Sequence, residues 1–477
     1  MRYYMKKNKF ALAFAQTFAL VCVLVSCSSE GGGSEGKTSE KTKTQYVKVT
    51  PKLSENSTHV FSAGDVMYVC NPDVGEKGAV SVLAYDEASG QFSGNLQYAE
   101  TTDNVRAFVK YAGSAKVTVD TAARAVVIDY SAQNGTPRDA QSRDLAFNVS
   151  AAAADFLNAS QPLRLYGASA FLRVTAASGT DVKAFRLTSA GTDVVTKTSP
   201  VVHPVVFAST ERISMQNGTY FPDEVKKITA SPLAGGDTYI AFFAYSVADP
   251  VLESDVALPS GINVTQNTRL YAGSAGEDAV YETFESGKTY TAAVDATVKA
   301  GTFLCDAQFN VKAIVYDTDN IDCGGYRTAR AMSVTDAAGT ASWCTAAVLP
   351  SSASKYLTSD AASDLRGYEL SEYLYGNAAY TAVNRAAASN DVLRGCSAWY
   401  LPSAGEWMKF WNNLGGLKNV NKMLKQIGVA QISGVKYWTS SLRSLTEPYA
   451  VIESSGAIAP VVQPMQSACS IRASILF

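Results

Sequence analysis

The sequence has 477 residues, of which 47% are apolar and 18% are charged; this composition excludes a disordered protein, and the length predicts two to four domains. The formal net charge is −2, from 41 basic and 43 acidic residues, and no basic run follows residue 45, which excludes a general nucleic-acid binder. Only two histidines occur, so a histidine-rich metal site is excluded and histidine-dependent catalysis has few candidates.

Residues 1–26 have the pattern of a secretory signal peptide. Basic residues up to Lys9 precede an apolar stretch, Phe10–Val25, that is too short to span a bilayer comfortably. The stretch runs into Leu24–Cys27, which resembles the lipobox of bacterial lipoproteins. That resemblance implies cleavage before Cys27, a lipid on its sulfur and anchoring in the outer membrane. Residues 27–44 are rich in Gly, Ser, Glu and Lys, which predicts a flexible tether. The alternative is an ordinary buried helix that contains a cysteine.

Between residues 45 and 299, apolar residues recur at every second position, which is the period of a half-buried β-strand. Turn signals such as Asn134-Gly135 and Asn217-Gly218 separate these runs. Short strands separated by frequent turns predict antiparallel β-sandwiches, and the length suits two of them, over residues 45–160 and 161–299. The predicted strands are Tyr46–Thr50, Val66–Cys70, Ala115–Asp120, Ala125–Tyr130, Leu163–Leu165, Phe171–Thr175, Val182–Leu187, Tyr239–Val247 and Thr289–Val294.

Four segments of this region resemble the fimbrillins of Bacteroidetes, the subunits of donor-strand pili. They are Phe61–Val69, Tyr85–Phe92, Leu163–Val174 and Phe284–Tyr290. The resemblance implies two tandem β-sandwich domains, export as a lipoprotein, and proteolytic trimming that lets a strand from a neighbouring subunit fill the vacated groove. Such strand exchange is β-augmentation, in which a sheet edge accepts a foreign strand through main-chain hydrogen bonds. The alternative is an unrelated secreted β-sandwich, such as a carbohydrate-binding module.

The segment Trp399–Trp407 predicts a helix start in the last third of the chain. Ser403 and Glu406 have the spacing of a capping box, and Trp407, Trp411 and Leu414 form one apolar stripe. The stripe predicts that these tryptophans are core residues. The helix should end at Gly415-Gly416 and be followed by a second helix over about 420–427. Strands are predicted at 435–441 and 469–477.

This order resembles the Fibrobacter major paralogous type of domain, itself similar to C-type lectin-like and formylglycine-generating-enzyme-like folds. The matching segments are Trp399–Trp407, Tyr437–Ser441 and Cys469–Phe477. The resemblance implies an α+β lectin-like domain over residues 300–477 that serves as an adhesive head. Loops on a rigid scaffold carry recognition, so the candidate ligand-binding residues are aromatic residues of the loop region 351–385. They are Tyr356, Tyr368, Tyr373 and Tyr375.

The sequence therefore predicts a mainly β protein that works by binding, with no catalytic residue, no metal and no cofactor. The predicted function is a fimbrial tip or accessory subunit at the cell surface, held by lipid on Cys27, with other fimbrial subunits and a surface glycan or protein as partners. The main alternative is a glycan-binding surface lipoprotein that never polymerises, and the third is a secreted enzyme. Cys70 is predicted to be a small core residue, and Cys323–Cys344 and Cys396–Cys469 are candidate disulfides.

Overall fold

The computed structural model describes residues 42–477 except for 58, 76–77, 100–101, 159, 190–206, 225–226, 272–280, 320, 347, 433–435 and 455–456. The predicted signal peptide, the lipid-bearing Cys27 and the tether as far as residue 41 therefore lie outside the described residues. At the end of the predicted tether, Lys43 and Thr44 already belong to the first strand, because they pair with the strand beside it.

The first sheet has eight strands in the order β1-β5-β4-β3-β6-β9-β10-β2, antiparallel except for β2 beside β10. Its strands are β1 Lys43–Val49, β2 Pro51–Leu53, β3 Val66–Asn71, β4 Ala79–Asp86, β5 Gln91–Tyr98, β6 Val105–Lys110, β9 Ala146–Ala151 and β10 Leu163–Gly167. Only Thr50 separates β1 from β2, yet these strands occupy opposite edges of the sheet. The carbonyl of Thr50 accepts a hydrogen bond from the Leu163 N–H at 2.8 Å. One continuous segment thus closes both edges.

The interior of this sheet follows the predicted alternation. Val47, Val49, Met67, Leu83 and Phe92 point to one face and form a core of their own, each at most 3% exposed. Burying a side chain of this size stabilises the fold by roughly 1.5–3 kcal/mol. The opposite face of the central strands packs against the rest of the molecule.

Three smaller sheets follow. The orders are β14-β13-β8-β7, β16-β11-β21 and β17-β20. Their strands are β7 Val117–Asp120, β8 Ala125–Asp129, β11 Ser169–Ala176, β13 Thr210–Ser214, β14 Tyr220–Glu224, β16 Thr238–Phe243, β17 Ser246–Ala248, β20 Tyr281–Thr283 and β21 Thr289–Val294. Because β8 pairs with β13, a single sheet contains strands from both sides of the boundary expected at 160/161.

A second eight-stranded sheet joins the middle of the chain to its end, in the order β15-β12-β18-β19-β22-β23-β24-β28. Its strands are β12 Asp181–Ser189, β15 Ile228–Ala230, β18 Pro250–Ala257, β19 Asn263–Arg269, β22 Phe303–Cys305, β23 Val311–Asp317, β24 Arg330–Ser333 and β28 Ser474–Leu476. The pairing of β19 with β22 crosses the boundary expected at 299/300. The division into domains at 160/161 and 299/300 stays a prediction.

The last third adds helices and a three-stranded sheet, β25-β26-β27. The elements are β25 Lys436–Ser444, β26 Glu447–Ser454, β27 Ala457–Val462, α3 Gly367–Leu374, α4 Thr381–Ala387, α5 Ala404–Asn413 and α6 Gly416–Gln426; two short helices, α1 Pro137–Gln141 and α2 Ala153–Leu157, precede them in the chain. A second separate core forms between α5, α6 and their neighbouring strands.

The local predictions for α5 are confirmed. Ser403 and Glu406 form the capping box, and Trp407, Trp411 and Leu414 are buried. The helix ends slightly early, at Asn413, and α6 begins at Gly416, earlier than predicted, because Gly415 takes the left-handed conformation that lets the chain turn into the next helix at once.

The mainly β fold is confirmed, and each predicted strand before residue 300 overlaps a strand of the structure, except that the single strand predicted at Tyr239–Val247 is two strands, β16 and β17, in different sheets. Cys70 is a buried core residue, as predicted, and the two candidate disulfides are not formed: the six cysteines of the described residues are free thiols. Within the described residues, every helix is too short or too polar to cross a membrane.

Candidate functional site

The four candidate tyrosines lie on or beside α3. Tyr356 ends a 3-10 turn that begins at Ser351, Tyr368 and Tyr373 belong to α3, and Tyr375 caps its C-terminus. The helix buries Leu370 and Leu374 in the core. Its other face therefore turns toward solvent and toward the 3-10 turn.

Tyr356 and Tyr373 are brought together around a lysine. Their ring centroids are 5.6 Å apart with an interplanar angle of 41°. The Nζ of Lys355 lies 4.8 Å from the centroid of Tyr356 and 5.2 Å from that of Tyr373, which is the range of cation–π attraction. The hydroxyl of Tyr373 is hydrogen-bonded to the Oγ of Ser352. We call Ser352, Lys355, Tyr356 and Tyr373 the tyrosine–lysine cluster.

Arg366 holds this cluster in position. Its guanidinium donates to the carbonyl of Lys355 at 3.0 Å and to that of Tyr356 at 3.2 Å, while its Nε donates to Asp364 at 2.9 Å. The 3-10 turn is therefore tied to the residues that precede α3. Groups that are ordered before a ligand arrives lose less conformational entropy when they bind it.

The other two candidates lie apart from the cluster. Tyr368 is half-buried against Tyr400 and Tyr326, at ring distances of 5.5 and 6.3 Å, and burial raises the pKa of its hydroxyl. Tyr375 is 65% exposed at the end of α3. The structure thus joins two of the four tyrosines and separates the other two.

Sequence reasoning singled out the aromatic residues of this region and missed the polar residues around them. The adjacent pair Lys355-Tyr356 in a loop was a weak signal for a cation beside a ring. Nothing in the sequence indicated that Arg366 would bind the carbonyl groups of a turn ten residues earlier, because that contact depends on how the turn and α3 pack together.

A second candidate surface lies at the N-terminal edge of the first sheet. All seven residues of β1 pair with β5, from Lys43 beside Tyr98 to Val49 beside Phe92. Val47 and Val49 point into the core, whereas the basic residues Lys48 and Lys52 are exposed. The segment is held by main-chain hydrogen bonds along its length and by few buried side chains.

No group of three or more acidic, cysteine or histidine side chains is arranged to hold a metal ion within the described parts of the chain. The chain matches no family model and no curated protein. A fimbrial protein from Bacteroides ovatus is similar in structure, with 11% identity and a TM-score of 0.32, over 90% of this chain and 98% of that chain. The tip fimbrial protein Mfa3 from Porphyromonas gingivalis, with C-terminal truncation, is 10% identical, with a TM-score of 0.29, over 56% of this chain and 100% of that chain.

Proposed function

We propose that this chain is a tip or accessory subunit of a bacterial surface fimbria. It is exported as a lipoprotein through Cys27, joins other subunits by strand exchange, and presents residues 300–477 as an adhesive module to a glycan or protein ligand. The observation that carries the proposal is the segment formed by β1 and β2, which occupies both edges of the first sheet. The work is binding and assembly, without catalysis or a cofactor.

The strand-exchange step depends on the sheet edges and core pockets that removal of β1 and β2 would expose. If they are removed, β5 and β10 each lose a main-chain partner, and the positions of Val47 and Val49 become two apolar pockets in the core. Exposed edges and apolar pockets at alternate positions are what an incoming strand requires. A donor strand therefore needs apolar residues two positions apart.

Strand exchange can be tested with a specific protease site inserted between Glu55 and Asn56. After cleavage, a labelled peptide with the sequence of residues 43–53 should replace the native segment, and the cleaved protein at high concentration should form ladders that resist mild denaturant. The matched control is the same peptide with Val47→Asp and Val49→Asp, which cannot fill the pockets. Equal uptake of both peptides, or no uptake at all, would contradict the mechanism.

The adhesive role rests on the tyrosine–lysine cluster. Two aromatic rings, an ammonium group and a hydroxyl lie together on one pre-ordered surface of the last third. No salt bridge involves Lys355 among the described residues, so its positive charge is available to a carboxylate or sulfate. The exposed part of the Tyr373 ring is available to the apolar face of a sugar. The cluster therefore suits an acidic glycan or an acidic protein loop.

Adhesion can be tested on glycan and matrix-protein arrays with the mature chain. Lys355→Ala and Tyr373→Ala should each weaken capture at least roughly tenfold if the cluster is the binding surface. Tyr271→Ala is a matched control, because Tyr271 is 42% exposed, close to the 39% of Tyr373, and also lies beside a cation, Arg269. Binding that survives both cluster variants would place the adhesive surface elsewhere.

The two experiments also separate the main alternative. Array binding without peptide uptake would indicate a surface lipoprotein that binds glycans and does not polymerise. Peptide uptake without array binding would indicate a subunit that only builds the fibre.

A further inference from the structure

A cavity of 330 Å³ lies where the first sheet meets the middle of the chain. One wall is the loop after β2, with Ser57 and His59, and another is Tyr111, just after β6. The cavity is also lined by Gln141, which is exposed, by the buried Asp144, and by Phe171 of β11. The cavity is separate from both the tyrosine–lysine cluster and the edge formed by β1 and β2.

Asp144 contributes to this cavity a buried carboxylate that has no salt bridge to any described residue. Its side chain is 7% exposed, and its Oδ1 accepts hydrogen bonds from the backbone N–H groups of Ala168 at 3.2 Å and Ser169 at 3.0 Å. No salt bridge to Asp144 forms among the described residues. Burial raises the pKa of Asp144 to about 6, and the backbone hydrogen bonds from Leu145, Ala168 and Ser169 oppose that rise. Buried charges in folded proteins are normally paired.

Tyr111 adds a hydrogen-bonding atom without a partner. Its hydroxyl is buried and makes no hydrogen bond of good geometry within the part of the chain that the structure describes, and Ser57 of the same cavity is a side chain close enough to interact with it. The ring stacks on His59 with a centroid distance of 3.4 Å. His59 itself is engaged, because its Nε2 lies 3.1 Å from Oδ2 of Asp65. The open groups of the cavity are therefore oxygens.

The second carboxylate of this region is already satisfied. Both oxygens of Asp65 accept backbone hydrogen bonds, Oδ1 from Ala112 at 2.7 Å and Oδ2 from Ser62 at 3.0 Å. Although burial pushes its pKa upward, these bonds and His59 hold the pKa of Asp65 below its usual value. Of the two carboxylates, Asp144 is therefore the one without a salt bridge among the described residues, and its donors are the backbone N–H groups of Leu145, Ala168 and Ser169.

This donor set selects among cations. Calcium needs six to eight oxygen ligands and usually several carboxylates, which the cavity does not offer. A guanidinium prefers both oxygens of a carboxylate, and Oδ1 of Asp144 is occupied by two N–H groups. An ammonium is a compact charge with three donors, so it suits one carboxylate oxygen and two neutral oxygens.

We propose that this cavity binds a primary ammonium group carried on an alkyl chain. Asp144 is the counter-ion, and the Tyr111 hydroxyl and the Gln141 side-chain carbonyl accept the remaining hydrogen bonds. Phe171 and Val60, which is 82% exposed at the mouth, contact the alkyl chain. The group can come from a lysine side chain of another polypeptide or from a free amine, because both present the same chemistry.

The test is isothermal titration calorimetry of the mature chain with n-butylammonium at neutral pH. Saturable binding is expected, and Asp144→Asn should weaken it at least roughly tenfold, because it removes a charged hydrogen-bond acceptor while keeping the shape. Tyr111→Phe removes only the unpartnered hydroxyl and should weaken binding several-fold. It also supplies an independent result if Asp144→Asn does not fold. Asp103→Asn, at an exposed carboxylate, is the matched control and should bind normally.

Parallel titrations identify the ligand class. Nα-acetyl-lysine methylamide binding more tightly than n-butylammonium would indicate a lysine side chain as the natural group, and the reverse would indicate a free amine; both support the ammonium site. The proposal is overturned if n-propylguanidinium or Ca²⁺ binds more tightly than the amines, if no amine binds, or if Asp144→Asn binds amines unchanged. None of these outcomes depends on strand exchange or on adhesion.

Discussion

The two ends of the described chain make an instructive pair, because each is an edge strand of an eight-stranded sheet. β1 begins with four exposed residues, Lys43–Tyr46, and contributes only Val47 and Val49 to the core. β28 is shorter, yet all three of its residues are buried. Position in the sheet is the same at both ends, and side-chain burial differs.

Further contacts hold β28 from outside its own sheet. Ser474 exchanges backbone hydrogen bonds with Tyr400 at 2.9 Å, and its hydroxyl lies 3.0 Å from the Tyr316 hydroxyl. The last carbonyl, of Phe477, accepts from the N–H groups of Thr328 and Ala329. The C-terminal strand is therefore held by backbone and side-chain contacts on more than one side, whereas the N-terminal strand is held by its pairing with β5 and by two buried valines.

The largest effect should come from the core position of β28. Ile475→Ala should lower the free energy of unfolding by about 2–5 kcal/mol, because Ile475 is fully buried and the truncation leaves a cavity. Urea unfolding followed by circular dichroism measures the change. Ile475→Val is the control and should cost about 0.5–1.5 kcal/mol. A loss below about 1 kcal/mol for the alanine variant would mean that the C-terminal strand is no more permanent than β1.

The buried carboxyl next to β28 should make this end sensitive to pH. The Glu406 carboxylate accepts from the Tyr400 hydroxyl at 2.9 Å and from the Ser403 N–H at 2.8 Å. Burial raises its pKa to about 7 and outweighs the opposing effect of Arg330, whose Nε lies 3.2 Å from the carboxylate. The pKa of Glu406 is therefore higher in the folded state than its unfolded value of 4.5, so the folded state favours the protonated carboxyl. The stability that this preference adds is complete below about pH 4.5 and is lost as the pH rises through about 7.

Glu406→Gln isolates that contribution, because glutamine can also complete the capping box. Between about pH 5 and pH 8, the unfolding free energy of the native chain should fall by up to about 3 kcal/mol more than that of the variant. Asp144 and Glu211, whose pKa values burial also raises, titrate in both proteins and cancel in the difference. Parallel pH profiles from urea unfolding would show that Glu406 is ionised throughout.

The sequence predicts structure that depends on contacts between neighbouring residues and does not predict contacts between distant ones. The capping box of Ser403 and Glu406 and the strand segments depend on neighbours within a few residues, so their patterns are visible in the sequence. The pairing of β19 with β22 joins residues about forty positions apart and is decided by how whole layers pack. Alternation of apolar and polar residues predicts that a segment is a strand, but it does not predict which strand it pairs with.

The candidate site divides in the same way. An aromatic-rich loop was visible in the sequence, and it contains Tyr356 and Tyr373. Their approach to Lys355 depends on the contact of Arg366 with the preceding turn, which has no sequence pattern. Nothing in the sequence indicated the cavity beside Asp144, because its lining residues His59, Tyr111 and Asp144 come from three separate segments.

A smaller effect is expected in the buried half of β1. Val49→Ala removes two methyl groups from the core of the first sheet and should cost about 1.6 kcal/mol, at ~0.8 kcal/mol for each carbon. Chemical denaturation measures this loss, and after cleavage of the inserted protease site the variant segment should dissociate faster than the native one. Lys48→Ala, at the exposed neighbour, is the control. Equal dissociation rates for both variants would show that main-chain pairing alone holds β1.

The smallest effect is expected in the exposed half of the same strand. Tyr46 is 60% exposed and pairs with Asn95 only through the backbone register, so Tyr46→Ala should change the free energy of unfolding by no more than about 0.5 kcal/mol. Measurement at low and high protein concentration makes the test sharper. A loss above about 1 kcal/mol that appears only at high concentration would show that another copy covers this edge in solution. In that case β1 would be held from outside, as β28 is, and the two ends would differ only in whether the covering surface belongs to the same chain.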